Sequence, residues 1–335
     1  AWQLRVAAGE LLPKQQSEIF MRGHSIEVRL YAEDPQVEFL PSIGTLHQLA
    51  FGPGLRVDTG VKTGGVVSPF YDPMIAKLIA TGPDRATALQ RLLRGLRLTQ
   101  IAGVKTNRDF LIALLQHPEF VTGHFDTGLI GRDLSSLTDV LTPSPEDWAL
   151  AALAAMDLPA PGPESALQGF TLFIPLRQQM ILTCQDETKR LQVSLNGLHA
   201  SVVVEAETVS LLRGAKGWCV VGSPQTTAIF AARKVYVFSA QTFVFKCLDP
   251  LDRIALVKSD GALVAPMPGL VKQVFVSNGQ EVVQGDPIVV LEAMKMQHTL
   301  RSAEAGQVQQ LTVQENTQVD AGQVMAVIIP SDKCE

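Results

Sequence analysis

The sequence predicts a multidomain chain of α+β and all-β parts: an α+β segment, then one helix with an antiparallel barrel-like sheet, then a flattened β-sandwich. Three observations carry that reading. The last seventy-odd residues repeat at a shift of about 37 positions, so that Gly269, Val271, Val274, Val276, Val282, Gly285 and Val290 fall on Gly306, Val308, Leu311, Val313, Val319, Gly322 and Val327. Nine short apolar runs between Phe170 and Leu248 follow a single strong helix signal. Ahead of them, two helical stretches with a 3.6-residue period follow several short alternating runs. A length of 335 residues allows two or three domains.

In chain order, Ala1 to about Gly9 reads as the end of a helix with Gly9 as its C-cap. His24 to Tyr31 alternates, with Ile26, Val28 and Leu30 on one side and Glu27, Arg29 and Tyr31 on the other, as in a half-buried strand. Residues 32–35 read as a turn, and short strands surround Gly44 to Val61. The glycines at 52, 54, 64 and 65 form no phosphate-binding pattern and are read as hairpin turns. A helix is expected from Asp84, with Leu89, Leu92, Leu93 and Leu96 on one face. Another is expected from Thr106, its hydroxyl capping with Asp109, and stopping before Pro118. This segment is expected to close near Asp133.

From Leu134 to Ala166 the composition shifts toward Ser, Pro and Ala, which marks a boundary. Ser144-Pro145-Glu146-Asp147 supplies a cap, an N1 proline and first-turn acids for a helix through Met156, and prolines at 159, 161 and 163 break it. The nine strand-like runs come next, with Asn196-Gly197 as a hairpin turn. In the repeat, alternation and the Asn/Gly positions predict two strand-rich copies. Each is too small to bury its own apolar face, so they should pack as a sandwich with quasi-twofold symmetry. Met294-Lys295-Met296 falls at the junction of the copies, at a hairpin tip.

Charge and cysteine usage exclude several classes. The stretch from Asp260 onward holds nine acidic and four basic residues and so carries the whole net charge of −5. An acidic module suits basic partner surfaces rather than nucleic acid or an acidic membrane. No run of about 18 apolar residues suggests a membrane span. The four cysteines lack pair spacing, which fits a reducing compartment, and the six histidines lack metal-ligand spacing. The chain opens at Ala1 without an initiator methionine, so the presence of a targeting peptide is not readable.

The runs Ala265-Pro266-Met267-Pro268-Gly269 and Ala293-Met294-Lys295-Met296 closely resemble the two signatures of the biotinyl domains of biotin-dependent carboxylases. Gln297 departs from the family, where many members carry an acid. The resemblance implies that Lys295 carries biotin in amide linkage, between the flanking Met294 and Met296. An ordinary lysine amine is on the order of one part in a thousand unprotonated at neutral pH. It therefore needs an activated acyl donor, which a biotin protein ligase supplies. A lipoyl carrier shares the sandwich but usually reads Asp-Lys-Ala at its tip.

Three further runs resemble the C-terminal subdomain of biotin carboxylase, an ATP-grasp type enzyme: GHSIEVRLYAEDP over 23–35, FYDPMIAKL over 70–78, and Gly103-Val104-Lys105-Thr106-Asn107. They imply that Arg29 is an active-site arginine that stabilises the enolate of biotin's ureido oxygen. A guanidinium suits this because it stays charged and its donors are geometrically fixed. His24, Asp72 and Lys77 are read as structural. The helix and barrel resemble, in order and pattern, the subunit-docking (BT) domain of acyl-CoA carboxylase α subunits.

The expected organisation is thus 1–135 partial biotin carboxylase C-terminal subdomain, 136–255 BT-like docking domain, and 256–335 linker and biotin carboxyl carrier domain. The family's ATP-binding lid, lysine and magnesium-binding glutamates lie upstream of these segments. The chain is therefore expected to be part of a longer ATP-dependent ligase subunit and not to activate bicarbonate by itself. The resemblance implies ATP, bicarbonate and Mg or Mn for the full-length subunit. It also implies a hetero-oligomer with a carboxyltransferase β subunit that receives the acyl-CoA. Residues 1–10 and 70–78 lean toward methylcrotonyl-CoA carboxylase, with geranyl-CoA, propionyl-CoA and acetyl-CoA carboxylases as alternatives. The compartment implied is the bacterial cytoplasm, or alternatively the mitochondrial matrix.

Overall fold

The computed structural model describes residues 2–158, 176–214, 217–222, 226–248, 261–293, 296–320 and 322–330. The expected run Phe170–Pro175, the helix-breaking prolines and all but the last residue of the linker expected around Asp249 to Gly261 lie outside the described residues.

The first unit runs through α1 (Trp2–Ala7), β1 (His24–Tyr31), β2 (Glu33–Asp34), β3 (Leu40–Pro41), β4 (Gly44–Thr45), β5 (Gln48–Ala50), β6 (Arg56–Thr59), β7 (Val66–Val67), β8 (Met74–Gly82), α2 (Arg85–Arg97), β9 (Gln100–Ala102), α3 (Arg108–Gln116), α4 (Pro118–Thr122) and α5 (Leu129–Leu137). Strand β1 has the alternation read from the sequence: Ile26, Val28 and Leu30 are buried, and Ser25, Glu27 and Arg29 are exposed. It pairs with β8 in a three-stranded sheet ordered β1-β8-β6. Leu89, Leu92 and Leu96 of α2 and Phe110, Leu111 and Leu115 of α3 cover its buried face. Asp84 caps α2 by accepting from Thr87 N at 2.7 Å.

The structure departs from the sequence pattern at two places. Residues 33–34 are not only a turn but form a small ladder with β3, Asp34 opposite Leu40. Helix α3 starts at Arg108 with Asn107 as its N-cap residue, and neither Thr106 nor Asp109 caps it. The reason is competition: Asn107 and Asp109 spend their side chains on tertiary partners.

The second unit is a helix inside a sheet. Helix α6 (Pro145–Ala155) begins with a capping box in which Ser144 Oγ accepts from Asp147 N and Asp147 Oδ2 accepts from Ser144 N. Residues Asp147–Leu153 are all buried, so the helix is apolar on every side rather than along one stripe. Strands β10 (Leu176–Cys184), β11 (Glu187–Asn196), β12 (His199–Val204), β13 (Glu207–Gly214), β14 (Gly217–Val220), β15 (Thr227–Ala231), β16 (Lys234–Phe238) and β17 (Thr242–Cys247) wrap it. They form one eight-stranded antiparallel sheet, ordered β14-β13-β12-β11-β10-β17-β16-β15. Trp148, fully buried, meets Phe245 edge-on at 4.9 Å between ring centroids.

A buried polar knot ties these two units. Arg108 is 1% exposed; its Nη1 donates to Thr99 O at 3.1 Å and to Thr242 Oγ1 of the barrel at 2.9 Å. Its Nη2 lies 2.9 Å from Asp109 Oδ1, and Asp109 Oδ2 accepts from Thr242 N at 3.2 Å. Gln100 donates to Thr227, and Ala102 packs against Tyr236 and Phe238 beside them. Removing one partner of a buried ion pair leaves the other without compensation. Arg108→Ala is therefore expected to destabilise the chain by about 3 kcal/mol, the low end for such pairs because Asp109 keeps some solvent contact. Calorimetry of the single variant and of Arg108→Ala with Asp109→Ala checks this: the double variant should recover part of the loss. An unchanged melting profile for Arg108→Ala would show that the knot contributes nothing.

The third unit contains β18 (Ala262–Val264), β19 (Gly269–Val274), β20 (Glu281–Val282), β21 (Pro287–Ala293), β22 (Met296–Arg301), β23 (Gly306–Leu311), β24 (Gln318–Val319) and β25 (Val324–Pro330). Two four-stranded sheets, β18-β25-β23-β20 and β22-β21-β19-β24, enclose a core of Val271, Ile288, Leu291, Val308, Val319 and Met325. The repeat is visible in the register. Leu270 opposes Glu292 and Gln307 opposes Ile329, each pair shifted by the repeat length, and both ladders carry a bulge at matching positions. The copies also exchange strands: β20 of the first pairs with β23, and β24 of the second pairs with β19. Neither copy can close its sheet alone.

Candidate functional site

The junction of the two repeats is a hairpin built on the best-buried strand of the carrier-like unit. Ile288, Val289, Val290, Leu291 and Ala293 of β21 are all buried, so this strand is held from both faces. Its ladder with β22 runs Leu291 to His298, Glu292 to Gln297 and Ala293 to Met296. Only positions 294 and 295 separate the last pair, and Met294 and Lys295 themselves lie outside the described residues. Glu292 is fixed beside the junction by Lys272, Nζ to Oε2 at 3.1 Å.

The proline-rich run at 265–269 earns its pattern from packing. Ala265 and Met267 are buried in the sandwich core, and Ala265 O accepts from Gly322 N at 2.7 Å. Gly269 must be glycine: an added Cβ would lie 2.8 Å from Leu291 Cγ and 2.9 Å from Glu292 O. This run therefore seats β21, which carries the hairpin. Because the core side chains fill the sandwich, a covalently attached group fits outside on the hairpin rather than within the fold.

Arg29 sits on the exposed face of β1, opposite Lys77 of β8. Its side chain is 59% exposed, with Nε 3.6 Å from Glu27 Oε1. The Tyr31 phenol first, then Glu27, raise its pKa above the ordinary value, so it is a permanent cation. Two features fix the backbone there. The ladder shifts register between Leu30 and Tyr31, a bulge of the kind that re-aims a neighbouring side chain. Asn107 bridges the same spot: its Nδ2 donates to Arg29 O at 3.1 Å and its Oδ1 accepts from Tyr31 N at 2.9 Å.

Sequence reasoning missed that clamp, treating Asn107 only as part of a family run. Its one signal was an asparagine just before a helix, which fits a cap equally well. Of the residues read as structural, Asp72 caps the turn into β8 through Met74 N, Lys77 lies 3.7 Å from Asp58, and His24 Nε2 lies 3.5 Å from Arg85 Nη1. The structure does not join Arg29 to the carrier hairpin: the two sites stand on separate units. Among the described residues, no group of three or more His, Cys, Asp or Glu side chains could hold a metal ion, and no helix is long and apolar enough to cross a membrane.

Comparison with known proteins assigns families to the first and third units. A family model described as the biotin carboxylase C-terminal domain matches residues 27–132, which include Arg29 and Asn107. One described as biotin-requiring enzyme matches residues 261–328, which include the hairpin. The mitochondrial methylcrotonoyl-CoA carboxylase subunit alpha of Dictyostelium discoideum is 33% identical over 98% of this chain and 52% of its own length. The chain belongs to the biotin-dependent carboxylase α-subunit family. The methylcrotonoyl-CoA carboxylase subunit alpha of Rattus norvegicus is 32% identical over 95% of this chain and 49% of its own. The propionyl-CoA carboxylase alpha chain of Ruegeria pomeroyi is 31% identical over 90% and 51%. This member thus spans about half the length of the curated family relatives it matches.

Proposed function

We propose that this chain is the carboxylase-end, docking and carrier portion of an acyl-CoA carboxylase α subunit, with biotin attached at Lys295. The observation that carries the reading is the ladder closing at Ala293 and Met296, which leaves Met294 and Lys295 as a two-residue connection on a buried strand. In this reading a biotin protein ligase acylates the Lys295 amine, and the amide bond removes its charge. When bound, biotin supplies a ureido nitrogen that takes up carboxylate at one site and releases it at another. Arg29 holds positive charge where negative charge develops on the ureido oxygen, and Asn107 holds the backbone of Arg29. Tethering replaces diffusion between sites with a high local concentration.

The ATP, bicarbonate and Mg or Mn sites belong in this reading to other parts of the full-length ligase. The α6 barrel serves as the dock for a carboxyltransferase β subunit in a hetero-oligomer. Cys184, Cys219 and Cys247 are free thiols, which suits a reducing compartment such as the bacterial cytoplasm or the mitochondrial matrix. The acyl-CoA is 3-methylcrotonyl-CoA in our reading, supported by the relatives named above. Propionyl-CoA is the second reading, supported by the Ruegeria pomeroyi relative.

The test is to assemble the full-length subunit with its β partner and to measure ATP- and bicarbonate-dependent carboxylation of 3-methylcrotonyl-, propionyl-, geranyl- and acetyl-CoA. The reading expects the highest kcat/KM for 3-methylcrotonyl-CoA. A preference for another acyl-CoA reassigns the substrate, and no biotin-dependent carboxylation at all removes the carrier reading.

A further inference from the structure

One contact between the first and third units falls beside the carrier hairpin. Leu40, in β3 of the first unit, packs against the core cluster of the carrier sandwich. Burial pushes the His298 imidazole of β22 below its ordinary pKa, and the Glu38 carboxylate, two residues before Leu40, opposes that shift. His298 lies two rungs from the pair that closes the hairpin, and its Nε2 is buried with no hydrogen-bond partner.

The turn that presents these side chains is unusual. Glu38 and Phe39 both have left-handed backbones, φ 48° and 57°, although neither is glycine. Such strain persists only where the surroundings over-determine it, and it clusters at functional positions. Here Phe39 is locked edge-on against Phe110 of α3 at 5.1 Å. Asp34 anchors the start of the turn, accepting from Gln36 N and pairing with Lys105. The turn is thus a rigid prong fastened to the first unit's core, with Leu40 packed against the carrier.

We propose that the prong Glu38–Leu40 is a resting dock for the carrier, holding it by the strand that leads out of the attachment hairpin. Leu40 supplies the adhesion and Glu38 sets the register against His298. A single half-buried leucine is a weak anchor, which suits a module that must leave again. Tethering within one chain makes even so weak a contact populated, because the partner is always near. The dock keeps the hairpin on the unit that bears Arg29 until another surface competes for it. This inference rests on the carrier reading for its purpose, but not for its detection.

Hydrogen exchange on the whole chain tests it, read on the unit that is not mutated. Strand β22 is an edge of its sheet, so its outward amides have no ladder partner and report what covers them. In Leu40→Asp, exchange at residues 297–300 should rise by about threefold to tenfold. In His298→Ala, exchange at residues 36–41 should rise by a similar factor. Amides of β1, β8 and β19 should keep their protection in both. If Leu40→Asp disturbs the first unit's own core, the His298→Ala arm decides. Unchanged exchange on the opposite unit, with intact cores, overturns the dock. Streptavidin detection of the same samples separates the two ideas: absent labelling with altered exchange defeats the carrier reading alone, and labelling with unaltered exchange defeats the dock alone.

Discussion

Replacing Arg29 by alanine in the full-length subunit is expected to lower the rate of biotin carboxylation roughly a hundred- to a thousand-fold, the usual result of losing one preorganised donor to a developing oxyanion. The structure gives the side chain what such a role requires. It is exposed, its charge is permanent, and its backbone is pinned by Asn107 from both sides of the bulge. A lysine would keep the charge but lose the planar fork, so Arg29→Lys should remain well below wild type. ATP affinity should change little, since no nucleotide contact is assigned to β1. Labelling of Lys295 should not change either. A steady-state comparison of kcat with ATP KM checks both halves. A variant that carboxylates biotin within a few-fold of wild type would reduce Arg29 to a surface partner of Glu27.

Much of this arrangement was legible in the sequence because it rests on local periodicity. The alternation of Ile26, Val28 and Leu30 fixed which face of β1 is buried, and the Ser144–Asp147 box fixed the start of α6. The carrier was the most readable part, since a sequence shift of one repeat reproduces even the strand register. What stayed hidden depends on partners far away in the chain. Asp109 looked like a capping acid, yet it accepts from Thr242, which no local pattern announces. Asn107 likewise serves β1 rather than α3. The ladder of Asp34 with Leu40 shows in the sequence only as a turn, because two-residue strands carry no period. Strand exchange between the repeats also left no sequence signal, because both copies present the same alternation.

The central claim is that Lys295 is the biotinylation site, and peptide mapping by mass spectrometry tests it most directly. The chain would be co-expressed with a biotin protein ligase, digested, and each lysine examined for the biotinyl adduct. The account predicts the adduct on Lys295 alone and complete loss of streptavidin binding in Lys295→Arg. An adduct on another lysine, label retained in Lys295→Arg, or no label under a ligase that modifies a control carrier would contradict it.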